Sequence, residues 1–333
     1  MSSLWDHHEL PSDKDRINKK AVKIEWITIA FLISAIVLMY FALGSSQAMK
    51  TAWVEDILSL IPPIAFLYAS RVRRRPPNKD FPYGYHRAVS IAFLVAAIAL
   101  FTLGALLFMD SLMKLLTFEH PSIGTVELMG RQIWLGWLMI AVLAYTTVPA
   151  IILGRMKLPL ARELHDKVLH ADAEMNKADW LTAVAAMLGI LGIGLGYFWA
   201  DAVAAIVISL DILYDGIKNL KGVVWDLMDA SPRTVEHEKT DPLPARLETE
   251  LEKLPYVSAV KIRLREEGHV YFGEAWIKFR GGEDIARRAR EAAEHARSLD
   301  WRMHDLAVMP VEEHPEELPE TKGDKGLVAG SDG

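Results

Sequence analysis

Six apolar blocks punctuate the sequence, roughly residues 25–43, 51–70, 90–115, 133–153, 179–200 and 202–224. Each reaches or nearly reaches the ~20 helical residues needed to cross a hydrocarbon core about 30 Å thick. Runs of this length leave few choices. In a bilayer a backbone must satisfy its own hydrogen bonds, and an open chain does so only as a helix. The chain is 51% hydrophobic with a mean hydropathy of +0.16, as an α-helical membrane protein requires. The fifth and sixth blocks are separated only near Trp199-Ala200-Asp201, which predicts a helical hairpin with a tight turn there.

Loop charge predicts the orientation, because Lys and Arg gather on the cytoplasmic side. Lys14, Arg16, Lys19, Lys20 and Lys23 precede block one. Arg71, Arg73, Arg74, Arg75 and Lys79 follow block two, and Arg155, Lys157, Arg162 and Lys167 follow block four. The opposite side lacks such clusters. Six spans with three basic clusters on one side place both termini in the cytoplasm. Trp26, Trp53, Trp134, Trp180, Trp199 and Trp225 lie near span ends, where amphipathic rings favour the interface. The polar start, MSSLWDHHELPSDKD, has no cleavable signal pattern. Short loops and an uncleaved start point to a bacterial inner membrane.

Composition changes after Ser231-Pro232. Residues 242–254 read as a helix, 257–266 and 270–279 as strands joined at Gly268-His269, 283–299 as a helix, and 306–310 as a last strand. The order α-β-β-α-β predicts a small two-layer domain. The domains expected are a cytoplasmic segment 1–23, a six-span region 24–232, a cytoplasmic α+β domain 233–311 and a disordered acidic tail 312–333. The chain has no cysteine, which excludes disulfides and thiolate chemistry. No basic face stands free of the membrane flanks, so nucleic acid is not an expected partner. No nucleophile, base and orienting group form a constellation, so an enzyme is not expected.

The segment TAWVEDILSLIPP (51–63) places Glu55 and Asp56 inside an apolar run. Asp179 opens the fifth block, Asp211 and Asp215 lie in the sixth, and Asp172, Glu174 and Asn176 precede Asp179. Each such acid costs about 3 kcal/mol at a helix centre, so it usually faces water or a cation. Helical spacing puts Asp172, Asn176 and Asp179 on one face, and also pairs Met175 with Asp179, Glu55 with Ser59, and Asp211 with Asp215. The block interiors read as nearly free of basic residues, with Lys218 the nearest to Asp215. Oxygen ligands at these spacings suit a divalent cation such as Mn, Fe(II), Mg or Zn. The alternative is that the acids pair with Lys or Arg and are structural. Pro62-Pro63 should break the second span and free carbonyls beside the acids, or simply kink it.

Taken with FPYGYHRAVS (81–90), HADAEMNKADWLTAVAAM (170–187) and ADAVAAIVIS (200–209), this pattern resembles the cation diffusion facilitator family over most of the chain. The resemblance implies a ferredoxin-like tail domain and a homodimer that exports divalent metal ions by proton antiport. It places the metal site between spans two and five. Aligned without a gap, the usual site positions are Glu55, Ser59, Met175 and Asp179. Only Asp179 matches outright; Met175 stands where an imidazole is usual, which shifts the expectation from zinc toward harder ions. Depth suggests Asp211 as a substitute ligand. The candidate metal set is therefore Glu55, Asp56, Ser59, Asp172, Met175, Asn176, Asp179 and Asp211.

The tail-domain histidines usual in the family are replaced by Val260-Lys261 and Val308-Met309. His269, His295, His304 and His314 read as surface groups, and His165 and His170 as part of a solvated helix. Arg87 and Asp229 match a charge pair that, by resemblance, interlocks the spans at the dimer seam. The partners expected are the bilayer, a second copy, metal ions and protons, with no organic cofactor. Two other functions fit the same fold: a scaffold or metal sensor that does not transport, and a carrier of monovalent or organic cations.

Overall fold

The architecture is that of a computed structural model, which describes residues 10–42, 53–54, 56–117, 125–128, 131–194 and 198–313. The chain divides into two compact units: residues 1–241 with 265–270, and residues 242–264 with 271–333.

The first unit is a bundle of long helices. Helix α1 (Ser12–Ala42) carries Asp13 and Asp15 in its first turn, where carboxylates complement the helix dipole. It begins well before the apolar block, so its basic residues extend the span as helix. Residues 56–58 are helical, Ser59 and Leu60 form a turn, and α2 (Ile61–Val72) follows. Pro62 and Pro63 sit in the first turn of α2, where no amide hydrogen is needed. The second span is thus two helical pieces.

Helix α3 (Arg87–Leu116) leads to strands β1 (Thr125–Leu128) and β2 (Arg131–Trp134), which pair antiparallel. This hairpin has no counterpart in the sequence reading, which ran the fourth span from residue 133. Helices α4 (Leu135–Leu164), α5 (Lys167–Gly194) and α6 (Phe198–Leu227) complete the bundle. Among the described residues, three helical stretches are long and apolar enough to cross a membrane: Ser12–Tyr40, Arg87–Leu116 and Gly136–Leu164. Helix α2 is short, α5 carries its charged side chains in its first half, from Lys167 to Asp179, and α6 carries Asp211, Asp215, Lys218 and Lys221 within its apolar run.

Two sequence boundaries need correction. Helix α5 starts at Lys167, so Asp179 lies within the helix and not at its start. The cause is local. His165 adopts φ 49°, and the Asp166 carboxylate accepts the Leu169 N–H at 2.9 Å, an N-cap that opens α5 at this point. Trp199, Ala200 and Asp201 are helical and belong to the first turn of α6. Residues 195–197, between α5 and α6, lie outside the described residues.

Packing is tightest between α3 and α6. A Cβ on Gly104 would lie 2.8 Å from the Leu213 nitrogen, and one on Gly216 would lie 2.6 Å from the Phe101 Cα. These two glycines therefore let backbone touch backbone. Helices α4 and α5 approach at Gly154, where a Cβ would meet the Asn176 Cβ at 3.2 Å. Phe66, Phe93, Leu160, Leu164, Leu169 and Val223 belong to the larger apolar core of this unit.

The second unit contains α7 (Leu243–Glu252), β3 (Val257–Glu267), β4 (Val270–Phe279), α8 (Ile285–Leu299) and β5 (Met303–Pro310). The sheet order is β3-β4-β5. β4 and β5 run parallel, with α8 as the crossover that such a pair requires. Leu243, Leu247 and Leu251 of α7, Ala292 and Ala296 of α8, and Tyr271, Ala275 and Ile277 of β4 form the core. This is the expected helical membrane protein with a small α+β, ferredoxin-like domain. Residues 265–270, at the tip of the β3–β4 hairpin, belong to the first unit.

Candidate functional site

The break in the second span positions the site. Pro62 and Pro63 bring no N–H to the carbonyls of Leu58 and Ser59, which an unbroken helix would satisfy from those positions. The chain turns there, and the Ser59 hydroxyl donates to the Asp179 carboxylate of α5 at 2.7 Å. Ser59 is buried and Asp179 and Asp56 partly so. The Asp56 carboxylate is near enough to act electrostatically on Asp179. The Thr182 hydroxyl donates to the Asp179 carbonyl at 3.0 Å, which holds this turn of α5. Ser59 and Asp179 thus meet from two elements, with the charges of Asp56, Asp172 and Lys157 within electrostatic reach of Asp179. Glu55 lies outside the described residues.

The other candidate residues have different neighbours. Met175 is fully buried and packs with Ala99, Leu100, Leu103 and Ile212. The Asn176 amide donates to the Asp172 carbonyl at 2.8 Å. Asp172 forms an ion pair with Lys157, and Glu25 reaches the same ammonium at 3.1 Å. All three side chains are at most 1% exposed. Asp211 and Asp215 pair with Lys177 at 2.8 and 3.0 Å.

The interiors are therefore not free of basic residues, as the sequence suggested. Lys157 lies on α4, which runs three turns beyond the apolar block. Lys177 lies on α5, which starts three turns earlier than expected. Once these helices are extended, each lysine sits on a helix facing the acids. For Asp172, Asp211 and Asp215, the structural alternative has a partner in place. Among the described residues, no cluster of three or more His, Asp or Glu side chains is arranged to hold a metal.

The histidines also need correction. His269 is buried, with its Nε2 3.3 Å from Asp166. His165 is buried and 3.4 Å from Glu266, and His170 is buried 3.7 Å from Glu174. The hairpin tip explains the first two. Glu266 enters between Lys167 (2.9 Å) and His165, and Gly268 comes so close to α3 that a Cβ would lie 2.7 Å from the His86 carbonyl oxygen. Burial works against ionisation of Glu266, yet Lys167 and His165 hold its carboxyl at about 2. Burial, then the Arg73 guanidinium, pushes His269 down to about 3. Arg87 pairs with Asp229 at 2.6 Å and with Glu267 at 3.4 Å, so within one chain these charges tie α3 to the end of α6 and to the hairpin tip.

Long apolar helices around a carboxylate-bearing break are the build of an integral membrane transport protein. The cation efflux transmembrane domain matches residues 24–228, more than half of the chain. The chain belongs to this family, the cation diffusion facilitators, which are transporters of metal cations. It is similar to the manganese efflux system protein MneS of Bacillus subtilis, 26% identical over 215 residues, which are 65% of this chain and 66% of that protein. The matched stretch is thus about two thirds of that relative's length. The manganese efflux system protein MneP of the same organism is 23% identical over 297 residues, 84% of this chain and 92% of that protein.

Proposed function

We propose that the protein exports a divalent metal cation from the cytoplasm in exchange for protons, with Mn²⁺ the first candidate. Asp56, Ser59 and Asp179, joined by Glu55, hold the ion in transit. The observation that carries this reading is the Ser59–Asp179 contact at 2.7 Å across the break in the second span. It joins oxygen ligands of the two elements that must part for the ion to leave. Oxygen donors without imidazole or thiolate favour hard ions, and two similar proteins are named for manganese efflux. Proton exchange follows from the ligands' chemistry, because carboxylates bind metal only when deprotonated. A proton arriving from outside then displaces the ion. The protein works as a homodimer in a bacterial inner membrane, with both termini in the cytoplasm.

A second reading, a scaffold that does not move ions, draws on the lysine partners of Asp172, Asp211 and Asp215. Proteoliposomes loaded with a metal-sensitive dye separate the two. Under a pH gradient, Mn²⁺ flux that collapses in Asp179→Asn supports transport through this site. Flux unchanged in that variant removes the site, and neither flux nor binding for Mn²⁺, Fe²⁺, Mg²⁺, Zn²⁺ or Co²⁺ supports the scaffold.

A further inference from the structure

Helices α1 and α2 leave a cleft of about 720 Å³ between them on the surface of the bundle. Its walls are Val22, Trp26 and Ile29 from α1 and Ile64, Leu67 and Tyr68 from α2, and Lys19, Arg71 and Arg74 stand at one end. The helices run antiparallel here. Arg74 bonds Asp15 and Ser70 bonds Asn18, so ascending one helix means descending the other. From Lys19 to Ile29, and from Arg74 to Ile64, is ten residues each, or about 15 Å of helix. The charged end thus stands just outside the first two apolar blocks, which begin near residue 25 and end near residue 70, and the far end lies inside them. The charged end is the basic side of the bundle.

The charges at the mouth do not cancel. Lys19 and Arg74 share one carboxylate, Asp15, at 2.7 and 3.2 Å. Arg71 is exposed and has no carboxylate partner among the described residues. Arg73 plays no part in the mouth, because it turns inward onto Asn18 at 3.0 Å. Three cations and one anion leave a surplus of positive charge above an apolar floor. Trp26 and Tyr68, 61% and 69% exposed, stand one on each helix along the cleft, near the cytoplasmic ends of the first two apolar blocks, where aromatic rings anchor to the interface.

We infer that this cleft is a binding site for one anionic phospholipid of the cytoplasmic leaflet. The phosphate lies on Arg71 and Arg74 with Lys19 beside them, and one acyl chain fills the floor between Val22, Ile29, Ile64 and Leu67. A soluble phosphate matches the mouth but leaves the floor to water. A zwitterionic lipid matches the floor, but its own ammonium opposes the surplus charge at the mouth. A lipid seated here bridges α1 and α2, and so braces the helix whose first turn follows Ser59.

The test uses the full-length protein in neutral detergent, titrated with phosphatidylglycerol or phosphatidylcholine. Retained lipid is counted by native mass spectrometry. The expected result is one phosphatidylglycerol per protomer, preferred over phosphatidylcholine by about tenfold, since the surplus positive charge at the mouth favours a headgroup of net negative charge. Lys19→Gln/Arg71→Gln/Arg74→Gln should abolish the preference. Ile64→Trp, which fills the floor and leaves the mouth charged, should weaken binding of both lipids. Lys20→Gln/Lys23→Gln/Arg75→Gln removes equal charge from residues outside the cleft and should change nothing. The site is overturned by any of four results: no preference in the wild type, equal loss in that control triple, competition by glycerol phosphate as strong as by the whole lipid, or cross-links that place a helix of a second copy in the cleft. Melting temperature and gel-filtration profile of each variant distinguish lost binding from lost fold.

Discussion

At the level of single residues, the membrane carboxylates fall into two kinds. Asp179 meets a hydroxyl, whereas Asp172, Asp211 and Asp215 meet lysines. Asp179→Asn removes a negative ligand and is expected to abolish Mn²⁺ binding, read by isothermal calorimetry on the purified protein. Ser59→Ala removes one neutral oxygen ligand and leaves the carboxylates, so it should weaken binding by about tenfold without abolishing it. Lys157→Met leaves Glu25 and Asp172 buried without their cation, at a cost of about 3–5 kcal/mol. It should sharply lower the yield of monodisperse protein. Replacing Glu25, Lys157 and Asp172 together by Leu should restore that yield, since apolar groups of similar size often replace buried ion pairs without loss. Asp179 and Ser59 were legible from spacing and resemblance. The role of Lys157 was not, because a basic residue just past an apolar block reads as loop until the helix is seen to continue.

At the level of elements, the legible features were those with a covalent cause. Pro62-Pro63 announced the break, because a residue without N–H cannot continue a helix at full strength. The strands and helix of the second unit followed their alternation and turn signals to within a few residues. The start of α5 was hidden, because its N-cap, Asp166, sits in a stretch with no Gly or Pro to mark it. The hairpin tip was hidden as well, because its partners lie far away in sequence. Its buried titratable groups carry a pH prediction. His269, held at about 3, stays neutral in the fold, while an unfolded imidazole protonates near 6.5. Its contribution is therefore lost as pH falls from about 6.5 toward 3. Glu266, held at about 2, loses its contribution as pH falls from its unfolded value, about 4.3, through that point. Asp166, which burial raises to about 6, acts in the opposite sense: its contribution grows as pH falls from 6 and is complete near 3.9. Below that pH the two losses stand unopposed. Amides of residues 265–270, corrected for intrinsic exchange, should show less protection from hydrogen exchange near pH 3.5 than at pH 7. Equal protection would show that these groups do not hold the tip in place.

At the level of the whole molecule, membrane architecture was legible because apolar block length and loop charge are properties of the full chain, and the family was legible from its resemblance in the motifs at 81–90, 170–187 and 200–209. Reporter fusions at residue 11 and residue 313 should both report the cytoplasm, and a fusion in the 118–124 segment the opposite side. Cells that lack their own manganese exporter and express this protein should tolerate higher external Mn²⁺, and the Asp179→Asn variant should not confer this tolerance. Gly104→Val tests the crossing of α3 and α6. The added side chain meets backbone at under 3 Å, so the melting temperature should fall by several degrees, about 2–4 °C for each 1 kcal/mol in a chain of this size class.

That crossing also limits how the bundle can rearrange. Where main chains touch at Gly104 and Gly216, no side chain is available to switch rotamer and absorb a slide. The two helices must then swing as a single beam, and opening to either side of the bilayer has to come from the remaining spans turning against it.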